Sequence, residues 1–415
     1  MTESPPVSGP RRAAVAFIFV TVVLDVLAMG VIIPIFPQLV KDFLGGDTHR
    51  AAYMYGLFAT VWALMQVIWS PVMGVLSDRF GRRPVILLSN FGLGFDYLLM
   101  ALAPTLGWLF VGRVVSGITG ASFSAAGAYI ADVTPPEKRA GAYGMIGAAW
   151  GLGFVLGPAM GGMLGAYNVR LPFFVAAALT LINAIYGLFV LPESLAEANR
   201  RPFAWRRATP FGALRLLRSH HELFGLAGVA LLYFTAHQVF PAVFVFYANY
   251  RYGWGPGAVG LTLALIGILN VLVQGAMVKP AVARFGERRM LVFGLTLGVM
   301  GIAFFGFAPT GAIFLAGLPV MMLMGFVSPS TQGLMSRRVG PSEQGQLQGA
   351  NTALMALTGL WGPTIYTTTF AAFIGRFAGW HQPGAPFLLS ALLLAAALTL
   401  AIRVTKGAKT DTSGH

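Results

Sequence analysis

Two carboxylates and one guanidinium stand where a chain of this kind rarely keeps a charge. Asp25 in VVLDVLAMGVIIPIFP, Asp96 in LGFDYLLMALAP and Arg113 in LFVGRVVSGITGA all lie inside long apolar stretches. A buried acid holds or releases a proton according to its surroundings, burial favouring the neutral form and a nearby arginine the charged one. Asp25 is the first candidate for such exchange, with Arg113 as its partner. Asp96 is the second, its other reading being a helix-packing group bonded to a backbone or hydroxyl. An arginine at this depth costs about 2.5–3.5 kcal/mol on insertion scales and needs a carboxylate or a wet cavity; a fixed ion pair holding helices together is the alternative. His237 in YFTAHQVFP is the one histidine inside an apolar stretch and reads as a satisfied polar residue or a titrating one.

A second cluster, Asp78, Arg79, Arg82 and Arg83 in GVLSDRFGRRPV, separates two apolar stretches. A carboxylate beside a helix N-terminus is favoured by the dipole and the free N–H groups there, and Gly81 permits a tight turn. This set reads as a charge latch that locks one side of the molecule shut in one conformation. Charge placement by topology alone accounts for the arginines but not for Asp78. A third pattern, GMIGAAWGLGFVLGPAMGG, supplies Gly144, Gly153, Gly157, Pro158, Gly161 and Gly162. Small residues at this spacing let another helix approach closely, and the proline bends its own helix.

The elements that position these residues follow from composition. The chain is 56% hydrophobic, only 10% charged, and has a mean hydropathy of +0.73. Apolar runs long enough to cross a ~30 Å hydrocarbon core fall at 13–36, 52–76, 84–103, 107–130, 140–167, 171–191, 223–248, 256–278, 290–308, 311–335, 346–374 and 384–403. Only helices and closed barrels satisfy their backbone in lipid, and barrel strands give a weaker hydropathy signal. The expectation is an all-α integral membrane protein of twelve transmembrane helices. With both termini in the cytoplasm, 22 of the 28 basic residues fall on that side, which is the positive-inside bias. The net charge of +14 is therefore topological, and nucleic acid is not an expected partner. There is no cysteine, so thiolate and disulfide chemistry are excluded. The first apolar segment lacks a small-residue cleavage pattern and reads as a retained helix.

RFGRR at 79–83 returns as RFGER at 284–288, APT at 103–105 returns at 308–310, GP at 157–158 returns at 362–363, and Gly144 maps onto Gly349. All share an offset of 205. The chain therefore reads as two pseudo-symmetric six-helix halves, 1–191 and 223–415, with a basic cytoplasmic linker at 192–222 lying amphipathically on the membrane face. Such a layout places a substrate site at mid-membrane between the repeats. The second copy of the charge cluster has Ala283 in place of Asp78, which confines the latch to the first half. There is no phosphate loop, no metal-spaced His/Glu set and no nucleophile elbow. Neither an enzyme, a cofactor, a metal nor ATP drive is expected.

GVLSDRFGRR resembles the loop signature of the major facilitator superfamily, and the patterns around Arg113 and from Gly144 to Gly162 resemble those of its twelve-span drug/proton antiporters. SDRFGRRPV, DYLLMALAP, GRVVSGITGA, AGAYIAD, PFFVAAAL, LPES, ARFGERR and QGQLQGA are similar to bacterial tetracycline/proton antiporters along nearly the whole chain. The resemblance implies roles in transport for Asp25, Asp78, Asp96, Arg82 and Arg113, and a polar cavity lining at Gln238, Asn270 and Gln274. The aromatics Phe240, Phe244 and Trp361 are expected beside them. The sequence departs at Gly298, where tetracycline exporters carry an aspartate in the ninth span, so the second half holds no intramembrane carboxylate. That argues against a metal-chelated tetracycline as substrate.

The implied function is a monomeric, proton-coupled antiporter of the bacterial inner membrane that exports a mostly apolar small molecule. A metabolite importer or facilitator whose buried charges bind substrate is the alternative, followed by a sensor on a transporter scaffold.

Overall fold

The computed structural model describes residues 10–120, 122–134, 139–200, 202, 221–340 and 343–406. Both terminal tails, Ala121, Lys138 and most of the linker, 203–220, lie outside them, and with the linker its expected amphipathic helix. Among the described residues the structure is helical, with no strand. The helices are α1 (Pro10–Ile32), α2 (Phe36–Phe43), α3 (Thr48–Phe80), α4 (Arg82–Leu102), α5 (Leu106–Thr119), α6 (Ser122–Val133), α7 (Arg139–Tyr167) and α8 (Leu171–Val190). Beyond the linker come α9 (His221–His237), α10 (Val239–Tyr252), α11 (Pro256–Leu272), α12 (Val278–Phe285), α13 (Glu287–Phe307), α14 (Gly311–Met322), α15 (Val327–Ser336), α16 (Gln344–Ile374) and α17 (Ala385–Thr405).

Each of the twelve apolar runs is recovered as one helix or as two in line. Ten helical stretches are long and apolar enough to cross a membrane. The fourth run is the pair α5 and α6. The eleventh is α16, 31 residues long, whose six threonines dilute its hydropathy. Several of those hydroxyls bond backward to a carbonyl of their own helix, as Thr368 does to Thr364 (2.6 Å) and Thr369 to Ile365 (2.7 Å). This internal bonding hides the polar group from lipid.

Four of the breaks within spans share a cause. Proline lacks an N–H and cannot return a bond to the carbonyl four residues back. Pro34 lies in the gap between α1 and α2, and Pro241 leaves the His237 carbonyl without its helical donor where α9 meets α10. Pro280 does the same to Ala276, inside a π-helical segment at Val273–Met277. Pro329 does so to Gly325, inside a 3₁₀ segment at Leu323–Phe326.

The chain divides into two units. One holds Met1–Gly46, Val61–Pro210 and Gly255–Gly267; the other holds Asp47–Thr60, Phe211–Trp254 and Ile268–His415. Within the first, α1 packs chiefly on α7, and α4 on α8. Within the second, α9 packs on α17 and, with α10, on α16, and α13 packs on α17. The first span thus meets the fifth as the seventh meets the eleventh, and the third meets the sixth as the ninth meets the twelfth.

Candidate functional site

In the first unit Asp25 is nearly buried, at 7% exposure. Its Oδ1 accepts from Asn183 Nδ2 at 3.0 Å, and the same amide donates to the Thr21 carbonyl at 3.2 Å. Arg113 does not pair with Asp25, contrary to the expectation from sequence. Its Nη2 is 3.9 Å from Asp96 Oδ2 and donates to Met100 Sδ at 3.2 Å, while its guanidinium lies 4.7 Å from the centre of the Phe36 ring. The reason is the hairpin: α4 and α5 run antiparallel about a short turn, and Asp96 and Arg113 lie at nearly equal distances from it. Asp96 is therefore the acid that α4 brings to the arginine's depth, while α1 turns Asp25 towards α8.

The loop cluster is built around Arg82. Its Nη1 donates to Asp78 Oδ1 at 2.6 Å and to Ser77 Oγ at 2.7 Å, and its Nε to Asp132 Oδ2 at 3.1 Å. The anion at the N-terminus of α4 is Glu193, not Asp78: its carboxylate accepts from the Arg82 N–H (2.9 Å) and the Arg83 N–H (3.3 Å). Gly81 precedes them at φ 106°, ψ 160°, a conformation essentially restricted to glycine, and any side chain there would strike the Glu193 carboxylate. Arg83 donates to the Leu188 carbonyl at 2.6 Å. Arg79 is exposed, with its guanidinium over Phe80.

The glycine pattern is a close-packing face with two sides. Towards α1, a methyl group on Gly157 would stand 2.6 Å from the Gly30 Cα, and one on Gly153 would stand 2.7 Å from the Val26 Cβ. A methyl on Gly161 would overlap the Val31 carbonyl. Towards α11, Gly162 faces Gly260, whose Cα would lie 2.9 Å from an added methyl. Pro158 lies inside α7, as does Gly144.

The second unit separates the residues expected to line a cavity. Asn270 and Gln274 are exposed on the eighth span, and Gln274 Nε2 reaches the Gly325 carbonyl at 3.4 Å, the group that Pro329 leaves without a helical donor. Trp361 Nε1 donates to Thr235 Oγ1 at 3.3 Å. Gln238 begins α10 and packs against Gly362. Phe244 instead joins an aromatic core with Tyr247, Phe305, Phe314 and Phe387, on which the half-buried Phe240 also packs. Phe244, only 1% exposed, has no free face for a ligand, which corrects the expectation for that residue. His237 contacts the Tyr233 ring. Gly298 is buried, and a methyl group there would stand 3.0 Å from Met324 Cγ and Sδ. The place of the missing ninth-span acid is filled by thioether.

Asn183, Asp132, Glu193, Met100 and Gly30 are the residues that sequence reasoning did not assign. Asp132 and Glu193 end the stretches AGAYIAD and LPE, and Asn183 is a lone amide in ALTLINAIYG; each was visible as a polar residue at the margin or middle of an apolar run. Among the described residues no group of three His, Cys, Asp or Glu could hold a metal.

Residues 18–363 match the sequence model of the Major Facilitator Superfamily. The chain is 39% identical to the class C tetracycline resistance protein of Escherichia coli over 369 residues, 88% of this chain and 92% of that one. It is 35% identical to the class G protein of Vibrio anguillarum, covering 89% and 93% respectively. Among solved structures, the nucleoside transporter NupG superposes with a TM-score of 0.77 at 13% identity, over 95% of this chain and 99% of that one. The human organic anion transporter MFSD10 gives 0.69 at 24% identity, over 95% and 100%. At these identities the structural likeness speaks for the fold alone.

Proposed function

The chain belongs to the Major Facilitator Superfamily, and from that premise we propose that it is a proton-coupled transporter that exports a mostly apolar, tetracycline-like small molecule. It is a multi-pass protein of the bacterial inner membrane. The observation that carries the reading is the similarity to tetracycline resistance proteins over nearly the whole chain, joined to buried acids and a buried arginine in the first unit. Asp25 and Asp96, with Arg113, exchange the proton. Gln238, Asn270, Gln274, Phe240 and Trp361 meet the substrate. Asp78, Arg79, Gly81, Arg82 and Arg83 form the latch, and the α7 glycines let helices slide at close range.

The six-helix halves 1–191 and 223–415 alternate access to the site. Both termini lie in the cytoplasm, as the basic residues require, and the chain works as a monomer in the bilayer. With Met324 beside Gly298 in place of a carboxylate, the substrate is taken without a metal ion. The test is proton movement in proteoliposomes on addition of tetracycline, with and without Mg²⁺, and of uncharged hydrophobic drugs. Outward proton-coupled export without Mg²⁺ is expected. Substrate flux that ignores an imposed pH gradient would instead establish a facilitator.

A further inference from the structure

Arg113 is not where its nearest carboxylate would draw it. Charge-assisted bonds between guanidinium and carboxylate close to about 2.7–2.9 Å, yet Arg113 Nη2 stops at 3.9 Å from Asp96 Oδ2. The Asp96 side chain is fully buried and that of Arg113 only 14% exposed. Among the described residues neither Asp96 oxygen nor Arg113 Nε has a well-formed hydrogen bond, and besides Arg113 only the Ser116 hydroxyl acts to favour the Asp96 carboxylate. Buried polar groups are almost always satisfied, so a pair left about 1 Å short of closure needs a restraint.

The restraint is visible. Nη2 is held by Met100 Sδ at 3.2 Å and the guanidinium lies over Phe36 at 4.7 Å. A thioether is a weak acceptor and a phenyl face contributes about 0.5–2 kcal/mol to a cation. Neither alone would outbid a carboxylate, but both act on one head group. Met100 stands one turn beyond Asp96 on the same face of α4, so both are within reach of one guanidinium. Gly112 leaves the space: a methyl group there would lie 2.8 Å from both Asp96 Oδ1 and Met100 Cγ. Phe36 opens α2 directly after the break at 33–35, so any bending of the first span moves the ring.

We propose that Met100 and Phe36 form a seat for the Arg113 guanidinium that holds its ion pair with Asp96 open, letting Asp96 take up a proton, and that Arg113 leaves the seat to expel it. Met100 and Phe36 are thus positioning residues that act through Arg113. Of the other ionisable groups, Tyr97 on α4 lies in the field of Asp96, Arg113 and Asp25 of α1; α8 presents the uncharged Asn183, which holds Asp25. The proposal rests on the chain's being proton-coupled.

The test uses the full chain in liposomes without substrate. The infrared band of the protonated Asp96 carboxyl, assigned by its loss in Asp96→Asn, is followed against pH. Met100→Leu and Phe36→Leu keep volume but remove the seat, so Arg113 closes on Asp96 and the band's midpoint falls by about one pH unit or more. Phe36→Tyr keeps the ring face and leaves the midpoint at the wild-type value, which separates the seat from general packing. An unchanged midpoint in both leucine variants overturns the proposal. Because the band needs no substrate, failure of the transport reading shows separately, as export that moves no proton.

Discussion

Gly157 and Gly30 meet with no side chain between them, and the consequence of adding one can be worked through. A methyl on Gly157 would stand 2.6 Å from the Gly30 Cα, 2.8 Å from the Gly30 carbonyl carbon and 3.0 Å from the Leu27 carbonyl oxygen. Carbon atoms pack best at about 3.5–4.0 Å, so α1 and α7 must part locally by roughly 1 Å. All three obstacles are backbone atoms, which cannot turn aside as a rotamer can. Overpacking of this kind costs about 1–3 kcal/mol, and a gap of ~0.5–1 Å forfeits a quarter to a half of each neighbouring contact. Lipid tails do not restore the loss by a solvent effect. Gly157→Ala should therefore cost about 2 kcal/mol in the close-packed state, roughly a 30-fold shift in any equilibrium that requires it. Gly30→Ala should cost a similar amount, because a methyl there meets the Gly157 Cα at 3.0 Å. Once either methyl has parted the helices, the second finds the gap already open. The double variant should thus lie well short of the sum, as contacting residues couple. The assay is the thermal unfolding midpoint in detergent beside the initial rate of proton-driven export. Wild-type midpoints and rates in both single variants would show that the helices do not meet at these glycines.

Further outcomes follow from the other sites. Asp25→Asn keeps the shape and the neighbouring Asn183 but removes the titrating group, so substrate binding should survive while uphill export driven by a pH gradient is lost; intact gradient-driven export would take Asp25 out of the proton path. Asp78→Asn leaves Arg82 with Asp132 as its one charged partner among the described residues, so export should fall several-fold at normal expression, and wild-type rates would reduce the motif to topology. Glu193→Ala strips the acceptor from two N–H groups at the start of α4 and should cost about 1 kcal/mol, as loss of a helix cap does, read as a lower unfolding midpoint. Gly298→Asp should express poorly alone and recover with Met324→Ala, since the thioether occupies the space; equal expression of the two would disprove that.

The parts of this molecule legible in its sequence are those that depend on long-range averages. Span number came from hydropathy, which sums over about twenty residues at a time. Partner choice was less legible, because it depends on which way each helix is turned. A membrane helix is apolar towards lipid as well as towards protein, so the periodicity that marks a buried face in a soluble protein is absent. Phe244 therefore looked no different from a cavity aromatic, and only the packing of six rings shows it as core. The pairing of Arg113 with Asp96 was within reach: APT marks the turn, and counting back and forward from Pro104 sets the two residues level. The role of Glu193 was not, since it requires knowing that the end of the sixth span lies beside the start of the third.

The exchange of segments between the two units has a consequence for how the protein is made. Thr60 bonds to Thr364 at 2.7 Å, a separation of 304 residues along the chain, and Gly56 packs on Thr367 nearby. The segment at 47–60 leaves the ribosome early, with these neighbours still untranslated. At ~5–20 residues per second it waits about 15–60 s in the membrane before α16 arrives. The first unit is incomplete in turn until residues 255–267 follow the linker. Neither unit can be finished before the other has been started, so insertion and assembly are interleaved. A ribosome stalled between the repeats would leave a nascent chain whose second span still lacks these contacts, a natural substrate for membrane quality control.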